Sequence, residues 1–427
     1  MEALRASILH CLADPGGESN PAAYEYYEDG LLVIDGGNIV DAGHAKTLLG
    51  SLPADLEITD YSGKLIVPGF IDCHVHFPQL DIIGSYGAQL LDWLNQYAYP
   101  VEAKFADPDY AREVANAFVD ELLRNGTTTA LVFGTVHAHS ADAIFSAAEA
   151  RDMRLIAGKV LMDSNCPEEL RDTPDSGYAD SKALIERWHG KGRLGYAITP
   201  RFALTSSPEQ LAAAGKLAKE FPDVWIHTHL AENMDEVEEI AKQFPDSRSY
   251  LDVYDQHNLL RERAVFAHCL HMDDQDRANM ATKGGAAAFC PTSNLFLGSG
   301  LFDLPAMREA GIRCGLGTDV GGGTSLSLLR TASEAYKVLH LQEHALPATR
   351  ALYLATLGAA EALYLDDKIG NFAKGKEADF VVLDFEGSSL TARRSAAAES
   401  IEEKLFALMT LADDRNIAAT WVRGRPV

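Results

Sequence analysis

At 427 residues, with 47% hydrophobic and 23% charged side chains, the chain is long enough for one large globular domain or two ordinary ones. Lys and Arg number 37 against 62 Asp and Glu, a net charge of −25 that argues against nucleic acid or an anionic membrane surface as partner and favours a neutral or cationic small substrate. No run approaches the roughly 20 apolar residues of a membrane span.

The opening stretch, MEALRASILHCLADPGG, lacks both a basic leader region and a sustained apolar core, so no signal peptide is expected. Six cysteines (Cys11, Cys73, Cys166, Cys269, Cys290 and Cys314) are scattered without CxxC pairs and read as reduced, buried thiols of a cytoplasmic enzyme. The first 68 residues give short extended pieces between turn signals, GLLVIDGGNIV and LEITDYSGKLIVPGF, and the end of the chain repeats the pattern in IGNFAKGKEADFVVLDF and IAATWVRGRPV. The two β-rich ends are expected to pair in one discontinuous β-sandwich domain, residues 1–68 plus 369–427.

Residues 69–368 alternate apolar strands with longer helical patterns, the signature of βα units. Candidate strands are LIVPGFIDCHVH, TTTALVFGTV, RLIAGKVLMD, RLGYAITPR, VWIHTHL, RAVFAHCL, AAAFCPT and RCGLGTD, with helices expected over 109–124, 207–220, 232–244 and 324–341. Eight strands in series point to a (β/α)8 barrel of the α/β class, whose chemistry sits at the C-terminal strand ends.

Polar residues at those ends form a set. His74 and His76, spaced i, i+2, leave one face of the first strand; His229 closes the fifth, His268 the sixth and Asp319 the eighth. Imidazoles with a carboxylate suit zinc or a similar divalent ion, which lowers the pKa of water toward about 7. Glu232, three residues past His229, sits where a carboxylic acid can shuttle protons. His137 with His139, and His227 with His229, repeat the spacing of the first pair. The first pair is set apart by VPGFID before it and by partners ending strands five, six and eight.

The motifs PGFIDCHVH, HTHLAE, GTD at strand eight and GKEADFVVLD together resemble the amidohydrolase superfamily, over essentially the whole chain. The resemblance implies the barrel with its terminal β-sandwich. Strand four ends in ITPRF, without the lysine that bridges two metals in binuclear members, and Lys159 is placed on strand three. The mononuclear branch is therefore implied: one zinc ion on His74, His76, His229 and Asp319, with His268 orienting the attacking oxygen. The stretches HVHFPQLDIIGSYGAQLLDWLNQY, YAITPRFALTSS, CPTSNLFLGSG and GLGTDVGGGTSLSLL resemble the members that act on guanine, implying its hydrolysis to xanthine and ammonia in purine catabolism by a homodimer. In those members Gln79 and Arg201 match the purine-holding positions, with Trp93 and Phe202 as pocket-wall aromatics. Asp319 would accept the water's proton and Glu232 would protonate the ring. Competing readings are a mononuclear hydrolase of another nitrogen heterocycle, adenosine-type, cytosine or triazine; a binuclear cyclic-amide hydrolase; and an inert binding protein on the same fold.

Overall fold

The computed structural model describes residues 1–53, 55–87 and 89–427. The chain divides into two compact units, one of residues 1–71, 121–129 and 327–427, the other of 72–120 and 130–326.

In the first unit the two ends of the chain pair, as the sequence predicts. Ile58–Pro68 runs parallel to Glu2–Cys11 on one side and antiparallel to Phe380–Leu383 on the other, with Pro68 opposite Phe380 and Leu65 opposite Leu383. Tyr24–Asp35 and Asn38–His44 extend one edge, Ile417–Val422 and Arg425–Pro426 the other, giving a mixed sheet of seven strands. Alternation explains the packing: Leu4, Ala6, Ile8, Leu32, Ile34, Ile66, Phe380, Val382 and Trp421 share one buried cluster. Ala3, Leu31 and Val33 belong to another.

The barrel sheet follows the chain. Phe70–His76, Thr127–Phe133, Arg154–Gly158, Leu194–Pro200, Trp225–Leu230, Ala264–His268, Ala286–Phe289 and Arg313–Leu316 lie side by side in that order, the eight strands expected. Registers such as Ile226 beside Ala264 and Ala286 beside Arg313 are parallel. Strands are shorter than their apolar runs suggest. LIVPGFIDCHVH serves two sheets, since Ile58–Pro68 ends before Gly69 and the barrel strand begins at Phe70. RLIAGKVLMD breaks at Lys159, and AAAFCPT gives way to a helix at Pro291. Ser207, Asn233 and Ser327 cap the helices Pro208–Glu220, Met234–Gln243 and Leu328–Leu341, their side chains accepting from backbone N–H groups of the first turn.

Strands one and eight are tied together where the site begins. The His76 N–H donates to Val320 O (2.8 Å) and the Asp319 N–H to His74 O (2.9 Å). Beneath them the fully buried Asp72 carboxylate accepts from the Thr318 N–H (3.0 Å), the Thr318 hydroxyl and the His74 N–H (3.1 Å). Burial pushes its pKa up to about 6 in spite of these donors. Gly317 allows the approach, because a Cβ there would lie 3.0 Å from both the Cys290 Sγ and the His74 Cβ. Among the described residues no helix is long and apolar enough to cross a membrane.

Asp72→Ala strands three buried donors, at about 1–3 kcal/mol each, so a loss of at least about 3 kcal/mol is expected. Denaturant unfolding of the purified protein checks it; wild-type stability would remove Asp72 from the closure.

Candidate active site

The C-terminal ends of strands one and five, with the turn after strand eight, bring His74, His76, His229 and Asp319 together, their ligand atoms all within 4.8 Å of one another. His76 Nε2 is 3.3 Å from His74 Nε2 and 3.2 Å from His229 Nε2. Asp319 Oδ1 lies 3.1 Å from His74 Nε2 and 3.3 Å from His76 Nε2. A tetrahedron with zinc–ligand bonds of 2.0–2.1 Å has edges of about 3.3 Å, so the four donors fit such an ion.

Hydrogen bonds behind the imidazoles aim them. His229 Nδ1 donates to the Arg201 carbonyl at 2.6 Å, leaving Nε2 with its lone pair. His74 Nδ1 is 2.7 Å from His227 Nε2, which makes His227 a support for the ligand. Burial lowers the His74 pKa, takes His76 to about 3 and drives His229 well below the usual imidazole range, the neutral state a metal requires. At Asp319 burial pulls the other way, but the adjoining histidines hold the carboxyl well below its ordinary range. Asp319 and His268 adopt positive φ (51° and 73°), a costly conformation for residues with a Cβ that persists here where the chain turns sharply off the strands.

His268 Nδ1 lies 2.8 Å from Asn294 Oδ1, an acceptor, so the ring carries its proton there. Its Nε2 is left unpartnered, 3.4 Å from Glu232 Oε2 and 3.6 Å from Asp319 Oδ2. Glu232 also accepts from the Ser299 hydroxyl (3.3 Å). Burial, then the charge of Asp319, raise its pKa well above the usual glutamate value, which favours its protonated form. Glu236 supports it from below, taking the Glu232 N–H (3.1 Å) and the Tyr250 hydroxyl (2.6 Å), with its own pKa pushed up to about 7 by burial and by Glu232.

These groups face a cavity of about 400 Å³, also lined by Gln79, Trp93, Arg201 and Phe202. Every residue singled out for the site thus borders this space or, for His74, lies directly beside it. Trp93 and Phe202 belong at the same time to an apolar cluster with Leu90 and Tyr99, and the Trp93 indole donates to Ser85 O (3.2 Å). Arg201 is buried, its guanidinium 5.2 Å from the Tyr99 ring and its Nη1 2.6 Å from Glu102 Oε2. Other histidines stand apart: His137 precedes and His139 lies in the first turn of the helix Ala138–Ala150, with His139 Nε2 bonded to Phe105 O (2.7 Å), and His271 Nε2 lies 3.1 Å from Ser299 O. Lys159 pairs with the Asp172 carboxylate.

Sequence reasoning misses Glu102, Glu236, Asn294 and Ser299. A buried arginine does demand a carboxylate, but YPVEAKF gives no sign that Glu102 is the one. Glu236 carries a faint signal, the N-E pair of a helix start that becomes the capping box of Asn233.

Comparison with known proteins agrees with this geometry. The amidohydrolase family model matches residues 65–427. The guanine deaminase of Escherichia coli K12 is 52% identical over 410 residues, 96% of this chain and 93% of that protein. A solved structure of E. coli guanine deaminase superposes with a TM-score of 0.98 at 50% identity, covering 100% of this chain and 99% of that one. A guanine deaminase from C. acetobutylicum, crystallised with guanine bound in the active site, superposes with a TM-score of 0.91 at 27% identity, covering 100% and 99%. The chain belongs to the amidohydrolase family, among its guanine deaminases.

Proposed function

We infer that the chain hydrolyses guanine to xanthine and ammonia, using one zinc ion held by His74, His76, His229 and Asp319. One observation carries the reading: a single cavity is bordered by His76, His229 and Asp319 of the four-donor cradle and by Arg201 and Gln79, in a chain 52% identical over 410 residues to a guanine deaminase. Zinc in this cradle would supply Lewis acidity and lower the pKa of water on it toward about 7.

The protein's own groups do the rest. Arg201 and Gln79 offer N–H donors toward the O6 and N7 acceptors of guanine and hold the ring flat between Trp93 and Phe202. Asp319, kept ionised, accepts the proton of the attacking water, and the Nε2 lone pair of His268 orients that water beside it. As oxygen adds to C2, Glu232 protonates the ring N3, so no full negative charge develops on the heterocycle. Collapse of the tetrahedral carbon then expels the amine as ammonia with the proton first taken by Asp319, while the C2 hydroxyl returns a proton to Glu232 and becomes the carbonyl of xanthine. Strand four supplies no lysine to bridge a second ion, which supports a single metal. The resemblance extends the reading to a cytoplasmic homodimer of purine catabolism.

Glu232→Gln should lower kcat at least about 100-fold, the usual yield of a positioned proton donor, with zinc content unchanged; full activity in an ammonia-release assay would remove Glu232 from the mechanism. Because its pKa is raised, Glu232 is protonated below that pKa and loses its proton above it. The kcat profile should therefore fall as pH rises through that raised pKa, at higher pH than an ordinary glutamate would give. Metal analysis should find one zinc per chain, and chelation should abolish turnover until zinc is restored; two ions per chain would favour a binuclear centre.

A further inference from the structure

We propose that Glu102 is a positioning residue that sets the donor pattern with which the cavity reads a purine, an inference that rests on the guanine reading above. Glu102 stands on Tyr99–Ala103, in the run of short helical turns after the first barrel strand, and is 1% exposed. Its carboxylate divides between the two groups assigned to the purine: Oε1 accepts from Gln79 Nε2 at 2.9 Å, and Oε2 from Arg201 Nη1 at 2.6 Å. Gln79 and Arg201 are each 2% exposed.

An ionised carboxylate only accepts, and that settles both partners. Gln79 turns its NH₂ toward Glu102 and its carbonyl toward the Gly321 N–H, which donates at 3.1 Å. Arg201 is fixed at one end of its fork by Glu102 and packed against the Tyr99 ring. The polar hydrogens these two side chains keep for a ligand are then the second amide N–H and the rest of the guanidinium, all donors. Guanine meets them with the acceptors O6 and N7, whereas a purine with an amino group at position 6 sets donor against donor. Glu102 also neutralises the Arg201 guanidinium, so the cavity receives a neutral base without leaving a bare buried cation.

The chain of donors and acceptors has no slack, and this makes a test. In Glu102→Gln one oxygen becomes an NH₂ group. If that group faces Gln79, the Gln79 amide must flip and set its own NH₂ against the Gly321 N–H; if it faces Arg201, two donors collide there. The expected result is a guanine KM about tenfold higher or more, kcat within about threefold of wild type, and a guanine over 2,6-diaminopurine preference reduced about tenfold, with zinc content unchanged. Glu102→Asp keeps the acceptor but is one methylene short, so its KM should also rise while the preference stays. A merely structural residue would lower the yield of folded enzyme and leave the preference of the surviving fraction untouched; that outcome, or a wild-type KM in either variant, overturns the proposal. If Glu102→Gln does not fold, the KM of Glu102→Asp decides alone. Failure of the wild type to convert guanine would sink the deaminase reading instead, and the Kd values of the two purines for the same proteins would still decide the role of Glu102.

Discussion

Three buried imidazoles, with His76 Nε2 3.3 Å from His74 Nε2 and 3.2 Å from His229 Nε2, cannot satisfy one another. A proton on one of these nitrogens joins one pair and leaves the others with lone pairs facing lone pairs. Burial makes charging the rings unfavourable, which holds the pKa values of His76 and His229 down. Only a cation at the common point satisfies all three nitrogens and the Asp319 carboxylate together. The cradle is thus an arrangement that folding alone does not favour, and the surrounding structure must hold it open against that cost.

Much of the barrel's upper rim is that holding structure. Asp72 and Thr318 lock the turn carrying Asp319 onto the strand carrying His74 and His76, so the register of closure and the geometry of the ligands are one quantity. His227 and the Arg201 carbonyl fix the ring faces of His74 and His229. Asn294 does the same for His268, and its reach from the helix Pro291–Phe296 explains why strand seven, with no catalytic group of its own, ends so abruptly at Phe289.

How far the sequence discloses this depends on what kind of constraint each residue obeys. His74, His76, His229 and Asp319 are legible because strand periodicity and the ends of strands are themselves sequence patterns, and a metal demands particular side-chain types there. Their supports are not legible in the same way, since any acceptor at the right point in space serves. Asn294 and Glu102 come from loops and short helices whose apolar spacing says nothing about the polar residues between. VHAHS shows the opposite failure, an HxH pair read at a strand end that lies in a helix start, because the strand stops at Phe133 and the chain turns before His137. Likewise LIVPGFIDCHVH is one apolar run, and only the backbone at Pro68–Gly69 divides it between two sheets.

Arg201 shows why recognition and catalysis are coupled here. Its carbonyl orients His229, its side chain faces the cavity, and Glu102 pins that side chain. On the proposed function, the peptide that aims His229 is also the one that carries the purine's contact, so a displacement at the end of strand four would move the base and the cradle together. Glu232 has a similar double tie, its carboxyl accepting from the Ser299 hydroxyl and its N–H donating to Glu236. Residues joined in this manner do not contribute independent increments: removing one changes what its partner can do, and paired substitutions along Glu102, Arg201 and Gln79 are expected to depart from additivity. On the proposed function, placing the purine contact immediately after the strand Leu194–Pro200 gives up adaptability to other heterocycles in exchange for a base held in one position.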